Sequence, residues 1–227
     1  GGVPVIVKAE AKNGYKISPA QLEAALTAKT KIFVINSPSN PTGAGYTLEE
    51  QQELGKVLAK HNCLIISDEV YEKIVFPGFE FVSFAKACPE LKHRIVTVNA
   101  FSKTFSMTGW RVGYVTGPRD IMAAVSRFQS QTTSNVCSIA QYAALKALSG
   151  NVDFLTKLIQ DYEIRLSSAI DLISEIQYLH VYHKPVGAFY LFVSISDELK
   201  KVRPELDDSV KFSTFLLDQA GVAVVPG

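Results

Sequence analysis

Residues 31–43 read KIFVINSPSNPTG, a short apolar run that ends in a series of turn-forming residues. Four consecutive apolar side chains bounded by Asn, Ser and Pro are typical of a strand that is buried in a parallel sheet. Thr47 and Glu50 then form a capping-box pattern, which predicts the start of a helix. A second apolar run, LIISD at residues 64–68, follows that helix. The order strand, helix, strand predicts a right-handed βαβ unit with parallel strands.

The pattern extends outward from this unit and predicts an α/β fold. Apolar runs at residues 95–98 and 112–115 predict a third and a fourth strand of a mostly parallel sheet, with helices on both faces. The remainder predicts helices at residues 119–128, 138–148, 152–176 and 209–219, and strands at residues 188–193 and 222–225. We expect a boundary near Asp161, with residues 1–160 forming part of a large domain and residues 161–227 part of a small α+β domain.

The composition excludes several classes of protein. Hydrophobic residues make up 47% and charged residues 20% of the chain, and the net charge is +1, so no basic surface for nucleic acid is predicted. No apolar run reaches the ~18 residues that a membrane span needs. Three widely spaced cysteines indicate neither a zinc site nor a disulfide framework, and we expect a cytoplasmic protein. Both ends lie in strand-like sequence, which predicts an excerpt from a longer protein.

Polar side chains follow three of the predicted strands. Asn40 comes after the first strand, Asp68 closes the second, and Lys103 follows the third. Ligands of open α/β sheets bind beyond the carboxyl ends of the strands, so we expect these side chains to meet in one crevice. Arg111, just before the fourth strand, adds an anion-binding group. Taken singly, each residue also fits an ordinary role on a surface, in a turn or at a helix cap.

Together these groups match the chemistry of pyridoxal phosphate. A lysine amine can hold a carbonyl cofactor as a Schiff base. A carboxylate such as Asp68 keeps a ring nitrogen protonated, and an arginine such as Arg111 binds a phosphate with two parallel hydrogen bonds. Asn40 and Tyr71 are suited to donate hydrogen bonds to the ring hydroxyl. The residues therefore predict a cofactor site in which the ring accepts electrons.

Three motifs carry a resemblance to a known family. SPSNPTG at residues 37–43, SDEVY at residues 67–71 and FSKTFSMTGWRVGY at residues 101–114 are similar to motifs of the class I and II aminotransferases of fold type I, in the same order and spacing. The resemblance implies a role for each matching residue. Lys103 would carry the cofactor, Asp68 would contact its ring nitrogen, Asn40 and Tyr71 its ring hydroxyl, Arg111 and Ser102 its phosphate, and Phe189 would flank the substrate alongside Asn40.

The resemblance also implies an activity and partners. It is nearest to the bacterial and plastid-type aspartate aminotransferases, so we expect transfer of an amino group from aspartate to 2-oxoglutarate by a homodimer. The family's phosphate-binding loop and substrate-carboxylate arginine would lie outside this chain. A C–S lyase, a prephenate or aromatic aminotransferase, and a transcription regulator with an aminotransferase-like sensing domain are the alternatives.

Overall fold

A four-stranded sheet organises the first half of the chain, and the computed structural model describes residues 1–227. Its strands are β1 (Ile32–Asn36), β2 (Leu64–Asp68), β3 (Ile95–Ala100) and β4 (Gly113–Thr116), in the spatial order β1-β2-β3-β4. The pairs β1–β2 and β2–β3 are parallel, whereas β3 and β4 are antiparallel. The predicted α/β class and the four predicted strands are confirmed.

Local sequence accounts for the helices around this sheet. In α2 the Thr47 hydroxyl accepts a hydrogen bond from the Glu50 backbone N–H, and the Glu50 carboxylate accepts one from the Thr47 N–H, as the capping-box pattern predicted. Ser18 and Gln21 form the same arrangement at the start of α1. The helices of this half are α1 (Pro19–Ala25), α2 (Leu48–Leu58), α3 (Phe84–Ala87) and α4 (Phe101–Thr104).

The main hydrophobic core lies between the sheet and helices α1 to α3. Leu54, Leu58 and Ile65 are almost completely buried there, and each contributes about 2 kcal/mol by removing apolar surface from water. The Arg94 guanidinium donates hydrogen bonds to the backbone carbonyls of Leu58, where α2 ends, and of Cys63, just before β2. The core therefore fixes β1, β2 and β3 relative to one another, which sets the positions of the strand ends.

The second half of the chain is mostly helical. Its elements are α5 (Arg119–Thr132), α6 (Ser138–Ser149), α7 (Phe154–Ser174), the strand pair β5 (Leu179–His180) and β6 (Ser194–Ile195), α8 (Asp197–Val202) and α9 (Ser209–Ala220). The boundary expected near Asp161 falls inside α7 and stays a prediction. None of the helices combines the length and the apolar character that crossing a membrane requires.

Two predicted strands are wrong. Residues 188–193 do not form a strand, because Ala188 adopts a left-handed backbone with φ +61° and the neighbouring Gly187 makes only an isolated bridge to Val75. Residues 222–225 are irregular and follow Gly221, which ends α9 in a left-handed conformation. In both places the apolar run has no neighbouring strand with which to pair in this chain.

Residues 185–188 are hydrogen-bonded to the first half of the chain. The Val186 N–H donates to the Gly43 carbonyl at 2.9 Å, and the Phe76 N–H donates to the Val186 carbonyl at 2.9 Å. The Ala188 N–H donates to the Ile74 carbonyl at 2.8 Å. This segment, which we call the bridging segment, therefore lies beside the loops that follow β1 and β2.

Candidate active site

The register of the parallel strands brings the predicted site residues to one edge of the sheet. Asn36 at the end of β1 pairs with Asp68 at the end of β2, and Asp68 in turn pairs with Val98 of β3. Helix α4, which carries Lys103, starts immediately after β3. The expectation that Asn40, Asp68 and Lys103 follow adjacent parallel strand ends is therefore confirmed, although β4 runs antiparallel.

Asp68 is fixed by hydrogen bonds to both its backbone and its side chain. Its backbone carbonyl accepts from the Ser37 N–H at 3.2 Å and from the Asn36 side-chain amide at 3.1 Å. Its Oδ1 accepts from the Val70 N–H at 3.1 Å. Because the side chain is only half-buried, the carboxylate remains available to a ligand at the edge of the sheet.

Asn40 lies on the loop that follows β1. Its backbone N–H donates to the Asn36 side-chain oxygen at 2.9 Å, and the peptide bonds before Pro38 and Pro41 are cis. Its exposed side chain reaches across to the second half of the chain, where Nδ2 donates to the Tyr190 hydroxyl at 3.4 Å. The amide thus lies beside the aromatic residues of the site.

Lys103 faces two aromatic rings. Its Nζ lies 6.0 Å from the centre of the Tyr71 ring and 5.3 Å from the centre of the Phe189 ring. The two rings meet edge to face, with their centres 5.6 Å apart. A charged amine held at such distances interacts with the faces of the rings. The structure thus brings together Lys103, Tyr71 and Phe189, three of the residues that the resemblance named.

Tyr71 is a buried phenol with a hydrogen-bonding partner. Its hydroxyl lies 2.7 Å from the Tyr190 hydroxyl, and the side chain is 2% exposed. Burial, together with the negative charge of Asp68, raises the pKa of the Tyr71 hydroxyl. The phenol therefore keeps its proton at neutral pH and can donate a hydrogen bond to a ligand.

Ser102 and Arg111 are less closely connected to the other residues. Ser102 is half-buried on α4, and Arg111 is exposed, with a left-handed backbone at φ +51°. The Arg111 guanidinium donates to the Thr108 carbonyl at 2.9 Å. Neither side chain forms a hydrogen bond or an ion pair with the other five predicted residues. Their role at a phosphate stays a prediction.

The structure adds three residues that the predicted set did not include. Asn36 holds both Asp68 and the Asn40 loop, and Tyr190 contacts both Asn40 and Tyr71. Glu69 is 3% exposed, and its Oε1 accepts from the Ser67 and Ser83 hydroxyls and from the Phe84 N–H. A polar residue in or next to a motif was the only signal in the sequence, because the partners of Tyr190, and two of the three donors to Glu69, are distant along the chain.

One cleft lies away from these residues. It has a volume of about 990 Å³, runs along β1 and the N-terminal residues, and is lined mainly by apolar side chains, such as Val3, Val5 and Val34. It contains none of the predicted site residues. No group of three or more His, Cys, Asp or Glu side chains is arranged to hold a metal ion.

The donor set fits the cofactor that the sequence suggested. The Lys103 amine, the Asp68 carboxylate and the protonated Tyr71 phenol lie around one sheet edge. The Asn40 amide and the partly exposed Phe189 ring lie beside them. A flat heterocycle with an aldehyde, a ring nitrogen and a hydroxyl presents one partner for each of these groups. Arg111 lies eight residues beyond Lys103, in the segment between α4 and β4.

Comparison with known proteins agrees with this geometry. A family model described as aminotransferase class I and II matches residues 1–227. An aspartate aminotransferase of Geobacillus stearothermophilus is 46% identical over 227 residues, covering 100% of this chain and 57% of that protein. A probable aspartate/prephenate aminotransferase of Rickettsia prowazekii is 45% identical over 230 residues, with the same coverage of 100% and 57%. This chain thus spans about 57% of the length of these curated relatives.

A solved structure has the same fold. The crystal structure of the aspartate aminotransferase from Rhizobium meliloti superposes with a TM-score of 0.93 at 40% sequence identity. The superposition covers 98% of this chain and 56% of that chain. The likeness therefore extends over nearly all of the 227 residues.

Proposed function

Because the chain belongs to the aminotransferase class I and II family, we propose that it carries the catalytic core of an enzyme that moves an amino group between an amino acid and a 2-oxo acid. The family implies pyridoxal phosphate as the cofactor. One observation carries the proposal: the Lys103 amine lies against the Tyr71 and Phe189 rings, at the sheet edge where Asp68 ends β2.

The residues of this chain have separate tasks in that reaction. The Lys103 Nζ would hold the cofactor through its aldehyde, and its free amine would take up and return the proton of the substrate's α-carbon. The Asp68 carboxylate holds a proton on the ring nitrogen. When bound, pyridoxal phosphate supplies an electron-withdrawing ring. Tyr71 and Asn40 donate hydrogen bonds toward its hydroxyl.

The remaining predicted residues would bind the phosphate of the cofactor or enclose the substrate. Arg111 is suited to bind the phosphate through two parallel hydrogen bonds, with the Ser102 hydroxyl beside it. Phe189 is 37% exposed and covers one side of Lys103, so it would flank the substrate and reduce the access of water. Asn40, which is exposed at the same edge, is a further candidate for contact with substrate.

For the substrates we propose aspartate as the amino donor and 2-oxoglutarate as the acceptor. The names of the relatives from Geobacillus stearothermophilus and Rickettsia prowazekii support aspartate, and the second name also supports prephenate as an acceptor. These names favour transamination over a C–S lyase or a ligand-sensing regulator. A homodimer, a cytoplasmic location and a domain boundary near Asp161 stay predictions.

Two measurements on the full-length protein test the proposal. A screen of amino donors with 2-oxoglutarate is expected to give the highest rate with aspartate, and prephenate is then offered as the acceptor with aspartate as donor. Borohydride reduction of the cofactor-loaded protein, followed by peptide mapping, is expected to leave the pyridoxyl label on Lys103.

The control variant is Lys103→Arg, which keeps a positive charge but cannot bind the aldehyde in the same way. It is expected to lose the label and nearly all transaminase activity. A label on a different lysine would overturn the role of Lys103. If the wild-type enzyme eliminates the side chain of the amino-acid substrate and no aminated cofactor is recovered, the reaction is a lyase reaction, and the proposed transamination is overturned.

A further inference from the structure

Tyr190 joins two site residues that lie far apart in the sequence. Its hydroxyl lies 2.7 Å from the Tyr71 hydroxyl and accepts from the Asn40 Nδ2 at 3.4 Å. We propose that Tyr190 is a positioning residue, which orients the Tyr71 hydroxyl so that its proton points toward the cofactor ring. This inference rests on the proposed function, because it concerns how the same site would hold its cofactor.

The chemistry of the amide fixes the direction of the Asn40 contact, and the proposal assigns Tyr190 as the donor between the two hydroxyls, either of which could donate. The nitrogen of the Asn40 amide can only donate, so the Tyr190 oxygen is the acceptor in that contact. A phenol carries one proton, and only one proton can lie between the two hydroxyl oxygens. When Tyr190 donates its proton to the Tyr71 oxygen, the Tyr71 proton is free for a ligand. Tyr71 is 2% exposed, so water has little access with which to supply an alternative donor.

The position of Tyr190 is fixed by its surroundings. Its ring meets the Tyr71 ring edge to face, with centres 5.9 Å apart, and lies 4.8 Å from the centre of the Phe189 ring. Two residues earlier, the Ala188 N–H donates to the Ile74 carbonyl, and Ala188 is completely buried. The hydroxyl is therefore presented to Tyr71 by a segment that is itself hydrogen-bonded beside the site.

Consecutive hydrogen bonds from Tyr190 to Tyr71 and from Tyr71 to the cofactor would strengthen the second of the two. A hydroxyl that accepts a hydrogen bond becomes a better donor, so Tyr190 makes Tyr71 a stronger donor to the ring hydroxyl oxygen. That oxygen is thereby stabilised in its anionic form. Without the Tyr190 hydroxyl, the negative charge on the ring oxygen would be less stabilised. The bound cofactor would then lose its proton only at a higher pH.

The test uses Tyr190→Phe in the full-length protein, because this change removes one oxygen and keeps the ring. Equilibrium dialysis of the apoenzyme measures the dissociation constant for pyridoxal phosphate, and absorbance against pH follows the titration of the bound cofactor. Binding is expected to weaken roughly threefold to tenfold, the range for one neutral hydrogen bond, and the titration midpoint to rise by about 0.5 pH unit.

Tyr162→Phe is the matched control. Tyr162 packs on Phe189, with ring centres 5.5 Å apart, but its hydroxyl is not hydrogen-bonded to Tyr71 or Tyr190. This variant is expected to leave both readouts unchanged. A loss of thermal stability without a change in the titration midpoint would show that Tyr190 only packs, and would overturn the proposal.

A double-mutant cycle tests whether Tyr190 acts through Tyr71. In a Tyr71→Phe background, Tyr190→Phe is expected to shift the midpoint by less than a third of its effect in the wild-type protein, since the intermediate hydroxyl is gone. An equal shift in both backgrounds would contradict the relay. A wild-type protein that takes up no cofactor would instead overturn the proposed function, so the two failures are distinguishable.

Discussion

The Asn36 side chain bridges Asp68 and Asn40: its amide nitrogen donates to the Asp68 carbonyl at 3.1 Å, and its amide oxygen accepts from the Asn40 N–H at 2.9 Å. Both groups of one amide are therefore used, one on each of two adjacent loops. The bridge keeps the loop after β1 at a fixed distance from the end of β2. Asn36 touches the backbone of two predicted site residues without itself facing the ligand.

Asn36→Ala is expected to weaken the binding of pyridoxal phosphate by roughly tenfold in the full-length protein. The reason is that the Asp68 carbonyl loses one of its two donors and the Asn40 N–H loses its acceptor, at a cost of about 1 kcal/mol each. Equilibrium dialysis measures the change. Asn13→Ala, which removes an exposed asparagine whose side chain has no hydrogen bond, is the control and is expected to bind as the wild-type protein does.

Glu69→Leu is expected to lower the free energy of unfolding by about 3 kcal/mol, because the Ser67 and Ser83 hydroxyls and the Phe84 N–H would lose their common acceptor inside the protein. Glu69→Gln keeps an oxygen at this position, and we expect it to cost about 1 kcal/mol. Urea unfolding measures both values. Equal losses in the two variants would mean that the carboxylate itself, rather than one acceptor oxygen at this position, is what matters, because Gln keeps the shape and one oxygen.

The stability of the protein is expected to fall in mild acid partly through His183. Burial, and then the charge of Lys16, lowers the pKa of this imidazole, whose Nε2 is buried without a hydrogen bond. The unfolded chain therefore binds a proton near the ordinary value of 6.5, where the folded protein still does not. The contribution is complete above pH 6.5 and is lost as the pH falls from there toward the lowered pKa.

Urea unfolding between pH 5 and pH 8 checks this sign. His183→Gln is expected to flatten the fall in stability below about pH 6.5, the ordinary histidine pKa. His93→Gln changes an exposed histidine and serves as the control. If stability fell more steeply with decreasing pH in His183→Gln than in the wild-type protein, the folded protein would favour the charged imidazole, contrary to this prediction.

Gly43→Ala is expected to destabilise the protein by about 3 kcal/mol, since it combines backbone strain with a clash. Gly43 has φ +65°, and an added Cβ would lie 2.5 Å from the Pro185 Cβ and 2.8 Å from the Gly187 carbonyl oxygen. Gly221→Ala matches the backbone, at φ +66°, with nothing within 4 Å, and is expected to cost about 1 kcal/mol. The difference in unfolding free energy isolates the contact with the bridging segment.

The parts that could be predicted from the sequence depend on short-range patterns. The four strands are continuous apolar runs, and the capping box of Thr47 and Glu50 spans only three residues. Asn40, Asp68 and Lys103 were predicted to meet because parallel strands present their ends at one edge, which holds for β1, β2 and β3. Periodicity and strand order were sufficient for these features.

The parts that were missed depend on distant contacts. The apolar run at residues 188–193 fits a strand by composition, but the N–H groups of Val186 and Ala188 donate to the carbonyls of Gly43 and Ile74 and fix the start of the run in another conformation. The contact between Tyr71 and Tyr190 joins residues 119 positions apart, so no local pattern contains it. The acceptor role of Glu69 is equally hidden, because two of its donors lie on and before α3.

The bridging segment limits how members of this family can be recombined. A chimaera joined within α7 would set residues 185–188 of one parent against Gly43 and Ile74 of the other, and would pair Tyr190 of one parent with Tyr71 of the other. A junction placed after Tyr190 keeps these contacts within one parent and, among the elements described here, exchanges β6, α8 and α9. For this fold, the natural unit of exchange is therefore defined by three backbone hydrogen bonds, and it does not end at the long helix.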